Sequence, residues 1–104
     1  MNSAADIARQ AIKKFRGDDY IFGCGCFDSI GKHFSPLGKR AVVIASGFGR
    51  EWGEKLHSRV CASFKSAGVE ILGELIRGAG ENSPFEDVTR IADEIRRRNP
   101  DMVV

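Results

Sequence analysis

The sequence predicts an α/β domain in which a mostly parallel sheet lies between two helical layers, and three observations carry that expectation. The run Ala41-Val42-Val43-Ile44-Ala45 is apolar without interruption, as in a strand covered on both faces. Two longer segments, on either side of a second apolar run, show the three-to-four-residue recurrence of amphipathic helices. Strand and helix patterns alternate along the chain, and right-handed crossovers fold such an order into a Rossmann-like, three-layer αβα arrangement.

Taken in order, residues 3–15 place Ile7, Ala8, Ala11, Ile12 and Phe15 at helical spacing, with Ser3 and Asp6 as a capping pair and Gly17 as the stop. Tyr20-Ile21-Phe22 reads as a short strand. Residues 28–37 have weak helical character broken by Pro36. After the apolar strand and Gly47-Phe48-Gly49, the stripe Trp52, Leu56, Val60 and Phe64 marks a strong helix that ends at Gly68. Val69-Glu70-Ile71-Leu72 is the next strand, and a loop carrying Gly73, Gly78 and Gly80 follows it.

Ser83 then caps a last helix, with Pro84 in its first turn and Glu86 completing a capping box. Phe85, Val88, Ile91, Ala92 and Ile95 form the face expected to be buried, and Arg96-Arg97-Arg98 suit its carboxyl-end dipole. Asn99-Pro100 closes it. Asp101-Met102-Val103-Val104 opens another buried strand, whose outer edge is open to pairing and so to homo-oligomer formation. Residues 1–18 are therefore read as a helical extension and 19–104 as the domain.

A chain of 104 residues supports one modest core. Sixteen basic against fourteen acidic side chains is too even a balance for a surface that grips nucleic acid. No apolar run approaches the roughly 18 residues of a membrane span, and the start lacks a secretory layout, so a cytoplasmic protein without a membrane partner is expected. Cys24, Cys26 and Cys61 make an odd count that predicts free thiols. With only His33 and His57 to join them, and no ligand-pair spacing, these cysteines do not form a zinc site.

The sharpest local motif is Gly47-x-Gly49-x-x-x-Gly53 between the best strand and the best helix. Glycines there permit close backbone approach, and free amides at a helix start point at a phosphate. A tight turn with no ligand is the alternative. Nucleotide folds read the adenosine ribose at a strand end, where a carboxylate selects NAD and an arginine accommodates the 2′-phosphate of NADP. Here Ser46 stands at that end with Arg50 four residues on, a slight preference for NADP.

The order of these pieces resembles the N-terminal domain of the iron-containing alcohol dehydrogenase superfamily, which also includes glycerol dehydrogenases and dehydroquinate synthases. The resemblance runs from about Tyr20 to Val104 through Phe22-Gly23-x-Gly25, Leu37-Gly38-Lys39-Arg40 before the strand, Ala67-Gly68-Val69-Glu70 after the helix, Ser83-Pro84, and Pro100-Asp101-Met102-Val103-Val104. It implies a dehydrogenase that moves hydride between a small alcohol or polyol and NAD(P), with divalent iron or zinc held by a helical second domain. By resemblance a Gly-Gly-Gly-Ser turn for the pyrophosphate follows the last strand, so no turnover is expected of these 104 residues alone. Ser46 takes the place of the family's ribose-binding aspartate. Gly47, Phe48 and Gly49 then wall the adenosine pocket, with Arg50 beside them and Ser83 bordering the cleft. A superfamily lyase, a dehydrogenase of phosphorylated polyols, and a non-enzymatic receiver- or flavodoxin-like module are the other readings.

Overall fold

A computed structural model describes residues 3–17, 21 and 23–104. Helix α1 (Ala4–Arg16) starts on the expected capping box: Ser3 Oγ accepts from the Asp6 N–H, and the Asp6 carboxylate accepts from the Ser3 N–H. Gly17, at φ 69°, ends it, and none of its residues is buried. The strand expected over residues 20–22 lies outside the described residues except for Ile21, which belongs to no regular element.

The weakly helical stretch becomes a 3-10 turn (Cys26–Ser29), helix α2 (Ile30–Phe34) and a second 3-10 turn (Ser35–Leu37) that accommodates Pro36. Short as it is, α2 packs closely on helix α3 (Glu51–Ser66). A Cβ at Gly31 would lie 2.2 Å from the Ser63 carbonyl oxygen, so only glycine lets the two backbones approach this far. The contact is tied by polar groups: the Gly31 N–H donates to Ser63 Oγ (2.9 Å), and Ser63 Oγ donates to the Asp28 carbonyl (2.7 Å). Arg59 on α3 clamps the Asp28 carboxylate with two hydrogen bonds of 2.9 and 3.1 Å, and those bonds hold the acid below the ordinary aspartate range.

The apolar run forms the central strand as β1 (Arg40–Val42) and β2 (Ile44–Ala45), separated only at Val43. β1 pairs in parallel with β3 (Glu70–Ile71) on one side and with β5 (Met102–Val103) on the other, in the order β3-β1-β5. β2 pairs in parallel with β4 (Ile76–Arg77), a strand inside the stretch that the sequence suggested was loop. Backbone bonds carry the ladder past Val43: the Ile76 N–H donates to the Val43 carbonyl (2.8 Å), and the Ile44 N–H donates to the Val104 carbonyl (2.7 Å).

The glycine-containing stretch hides β4 because its strand is interrupted. The Leu72 N–H reaches the Ala41 carbonyl and the Ile76 N–H reaches that of Val43, so the edge chain uses four residues where the centre uses two, and residues 73–75 bulge outward. Arg98, at the end of helix α4 (Phe85–Arg98), fills the bulge by donating to the Leu72 carbonyl (3.0 Å) and the Glu74 carbonyl (2.6 Å), while Glu94 holds its other nitrogen at 2.8 Å. The start of the central strand is fixed from the same end of α4. Asp101 accepts from the Lys39 and Arg40 N–H groups, and Arg40 donates to the carbonyls of Asn99 and Arg98.

Ala41, Val43, Phe64, Val69 and Met102 form the main core cluster, and Phe64 stacks on Phe34 with ring centres 6.5 Å apart. Val42 and Ile76 are equally buried but lie outside that cluster. They alternate onto the opposite face of the sheet, where α4 runs back from β4 to β5. The expected αβα layering is therefore present: α2 and α3 cover one face and α4 the other.

Three local expectations are corrected. Trp52 begins the α3 stripe but is 58% exposed, its ring lying against Gly47 in the turn after β2 rather than in the core. Phe85 is 81% exposed and Val88 49%, which leaves Ile91, Ala92 and Ile95 as the half-buried face of α4. The capping box at Ser83 does not form, since Asn82 and Ser83 both take positive φ and Pro84 becomes the cap residue. Asp87 ties the loop instead, accepting the Gly80 N–H at 2.9 Å.

Arg98→Ala is expected to leave the Leu72 and Glu74 carbonyls without their donor and to cost about 1–3 kcal/mol in urea unfolding, with Arg96→Ala, on an exposed side chain, near zero. Asp28 has a lowered folded pKa, so its clamp is fully present above the ordinary value of 3.8 and is lost as pH falls through the folded value. Asp28→Asn should accordingly flatten the acid limb of a stability–pH profile below about pH 4 and leave its slope at neutral pH unchanged.

Candidate functional site

A cleft of about 580 Å³ opens where the central strand and β4 end at their carboxyl sides. Ser46, Gly47, Phe48 and Arg50 line it from the turn after β2, Trp52 from α3, Arg77, Gly78, Ala79 and Gly80 from the end of β4, and Asp87 and Arg90 from α4. A larger groove of about 810 Å³ lies between α2 and α3, bordered by Asp28, Lys32 and Arg59. That groove sits away from the strand ends, and its Asp28–Arg59 pair is already mutually satisfied. Open parallel sheets bind ligands outside the carboxyl ends of their strands, which favours the smaller cleft.

The turn that forms one wall is exceptionally tight. A Cβ on Gly53 would lie 2.0 Å from the Gly47 carbonyl oxygen, so the strand-end backbone rests directly on the first turn of α3. Gly47 itself takes φ +81° with the Trp52 ring against it. The Arg50 N–H closes the turn on the Gly47 carbonyl (3.1 Å), and the Gly49 N–H donates to the Glu54 carboxylate (3.2 Å). Two of the loop's amides, those of Gly49 and Arg50, are thus bonded within the chain. Gly47 and Gly53 serve close packing here, and Gly47 and Gly49 supply the positive φ the turn needs.

Behind the wall, His57 is nearly enclosed, with 13% of its side chain exposed. Its Nε2 lies 2.6 Å from the Ser46 carbonyl oxygen, so that nitrogen carries the hydrogen in this contact. Phe48 packs over the imidazole with ring centres 4.7 Å apart, and the Arg77 guanidinium lies over the Phe48 ring at 5.3 Å. On the far wall Arg90 donates to the carbonyls of Arg77 and Gly78 at 2.9 and 3.3 Å and pairs with Asp87 at 3.6 Å. Those contacts fix the 77–80 loop against α4.

Of the residues named from sequence, Ser46, Gly47, Phe48 and Arg50 meet at the cleft. Gly49 sits in the same turn but does not line it, and Ser83 stands outside the lining, its N–H held by the Gly80 carbonyl (3.0 Å). Sequence reasoning passed over Arg77 and Arg90. The signal for Arg77 was its place after an apolar pair, Leu75-Ile76, but the interrupted strand concealed that it stands at a strand end. Among the described residues no three His, Cys, Asp or Glu side chains are placed to hold a metal ion, and none of the candidate cysteines and histidines gathers into one. All three cysteines are free, with Cys24 exposed.

The fold is an α/β domain of the doubly wound, Rossmann-like kind, with a cleft at the carboxyl edge of its parallel sheet. A family model described as iron-containing alcohol dehydrogenase matches residues 17–104, and the chain belongs to that family. Comparison with curated proteins and with solved structures found no significant match.

Gly53→Ala is expected to force the turn off the strand end, destabilising the domain by about 1–3 kcal/mol in denaturant unfolding. Gly49→Ala meets no atom within 4 Å but suffers at φ +76°, and should cost less, about 1 kcal/mol.

Proposed function

We propose that the chain supplies the cofactor-binding part of a metal-dependent, NAD(P)-linked alcohol or polyol dehydrogenase, and that the strand-end cleft takes the adenosine half of the dinucleotide. The observation that supports this most is the chemistry of the cleft rim. Ser46 offers a hydroxyl at the strand end, and the same cleft is lined by Arg50 from the turn before α3 and Arg77 from the end of β4. A carboxylate at that position would favour a free ribose hydroxyl, whereas a hydroxyl between two guanidinium groups suits a ribose phosphate. The reading is NADP over NAD, with Arg77 added to Arg50 as a phosphate partner.

The remaining lining residues position rather than react. His57 holds the Ser46 carbonyl, Arg90 holds the 77–80 loop, and Phe48 bridges them, so the rim keeps its shape without a ligand. The central strand and β5 end side by side, and the chain runs outward from the centre in opposite directions to β3 and β5. That makes the gap beyond Ser46 and Val104 a topological switch point, where a dinucleotide would continue from the adenosine cleft. When bound, the cofactor supplies the hydride acceptor. Among the described residues no group of His, Cys, Asp or Glu side chains is placed to hold the family's metal. The family match favours this reading over a receiver-like module, which would need acidic groups clustered at the strand ends where Ser46 and Gly78 stand.

The test is an NMR titration of the chain with NADP and, separately, NAD. Shifts confined to the amides of residues 46–50 and 77–80, with tighter binding of NADP, are expected. Arg77→Ala should weaken NADP binding about tenfold or more and leave NAD binding nearly unchanged, and Ser46→Asp should reverse the preference. An absence of localised shifts with either dinucleotide would overturn the proposal.

A further inference from the structure

Helix α1 is set apart from the rest of the molecule in three independent respects. It ends at Arg16, and the family match begins at residue 17, so the whole helix lies outside the matched domain. It buries none of its residues, leaving Ile7 59% and Phe15 81% exposed. It also carries Arg9, Lys13, Lys14 and Arg16 against the single acid Asp6, whereas the rest of the chain has twelve basic and thirteen acidic side chains. The net positive charge of the protein therefore resides in this one helix.

The helix is also built to exist as a unit. It has its own capping box at Ser3 and Asp6 and its own glycine stop at Gly17, and the Arg9–Asp6 pair at 3.3 Å reinforces its first turn. At 13 residues it is still at the length where isolated helices are marginal in water, about 12–15 residues, so an amphipathic face must be covered for it to persist. Helical spacing puts Ala4, Ile7, Ala8, Ala11, Ile12 and Phe15 on one stripe. Lys14 and Arg16 border its two sides, and Arg9 and Lys13 lie on the opposite face. The Arg16 guanidinium lies over the Phe15 ring at 5.1 Å.

We infer that α1 docks this protein on an anionic lipid surface, with the Ile7–Ile12–Phe15 stripe entering the headgroup boundary and the basic side chains facing the phosphates. Charge complementarity selects this occupant. An apolar stripe bordered by cations on both sides, their stems able to snorkel, matches a bilayer interface that is apolar below and negative above. A second copy of the same helix would instead set four cations against four. The absence of a spanning segment is no obstacle, because an interfacial helix lies in the membrane plane. The inference is independent of the cofactor reading, which concerns the cleft at the strand ends and none of the residues of α1.

The test is co-sedimentation of the full chain with phosphatidylcholine vesicles containing or lacking phosphatidylglycerol. Binding to the anionic vesicles at least tenfold tighter than to the zwitterionic ones is expected, falling as salt is raised. Lys13→Glu with Lys14→Glu keeps the apolar stripe and should reduce that binding by more than tenfold, at roughly fivefold per charge removed. Ile7→Asp with Phe15→Asp should abolish it. Both pairs lie on a helix that contributes nothing buried, so unchanged NMR shifts of Val42 and Phe64 will verify that the domain still folds. Equal affinity for both vesicle types, no binding to either, or binding that survives the Ile7 and Phe15 substitutions overturns the inference. So does a concentration-dependent dimer that the same substitutions dissolve in the absence of lipid.

Discussion

The structure depends on the central strand, residues 40–45, being used from every side. Its backbone pairs with β3 and β4 on one edge and β5 on the other, and its side chains alternate between the Phe64 core and the face under α4. Between its two faces such a strand has no room for a polar side chain, which is why residues 41–45 are apolar without interruption. It also has no freedom to shift register, because a slip of one residue would exchange its two faces. The position of Ser46 is thereby fixed, and the cleft inherits its geometry from the strand that ends there.

Three arginines do similar work at three heights of the sheet. Arg40 caps the last carbonyls of α4, Arg98 fills the bulge with the carbonyls of Leu72 and Glu74, and Arg90 ties the end of β4. Arg98 and Arg90 satisfy main-chain oxygens along the interrupted edge, and Arg40 those that the end of α4 leaves without helical partners. A planar guanidinium with several fixed donors does this better than lysine, whose point charge addresses one acceptor at a time. In the sequence these side chains look like ordinary surface cations, yet they join α4 to the sheet.

What could be read in advance follows the same division. The central strand, the α3 stripe and the glycine stops were legible because each depends on its own few residues, and the capping box at Ser3 is local for the same reason. β4 was not, since a strand of two residues beyond a bulge has no period to detect and exists only because Val43 and Ala45 offer carbonyls. The Ser83 cap failed through a backbone choice, positive φ at Asn82 and Ser83, that competes with the cap pattern. The exposure of Phe85 and Val88 likewise depends on how far α4 extends past the sheet, which no spacing encodes. Of the cleft, the turn after the strand was legible, and the Arg77 side, which comes from 27 to 31 residues further along, was not.

The hydrogen bond from Gly49 to Glu54 has a consequence for how anions are sorted at this edge. The two groups are five residues apart on one rigid turn, so the carboxylate stands at the amide as a tethered competitor, at an effective concentration on the order of millimolar or above. A free phosphate that would otherwise lodge at the start of α3 must first displace it. The Gly49 amide is thus engaged by the chain's own carboxylate before any anion arrives.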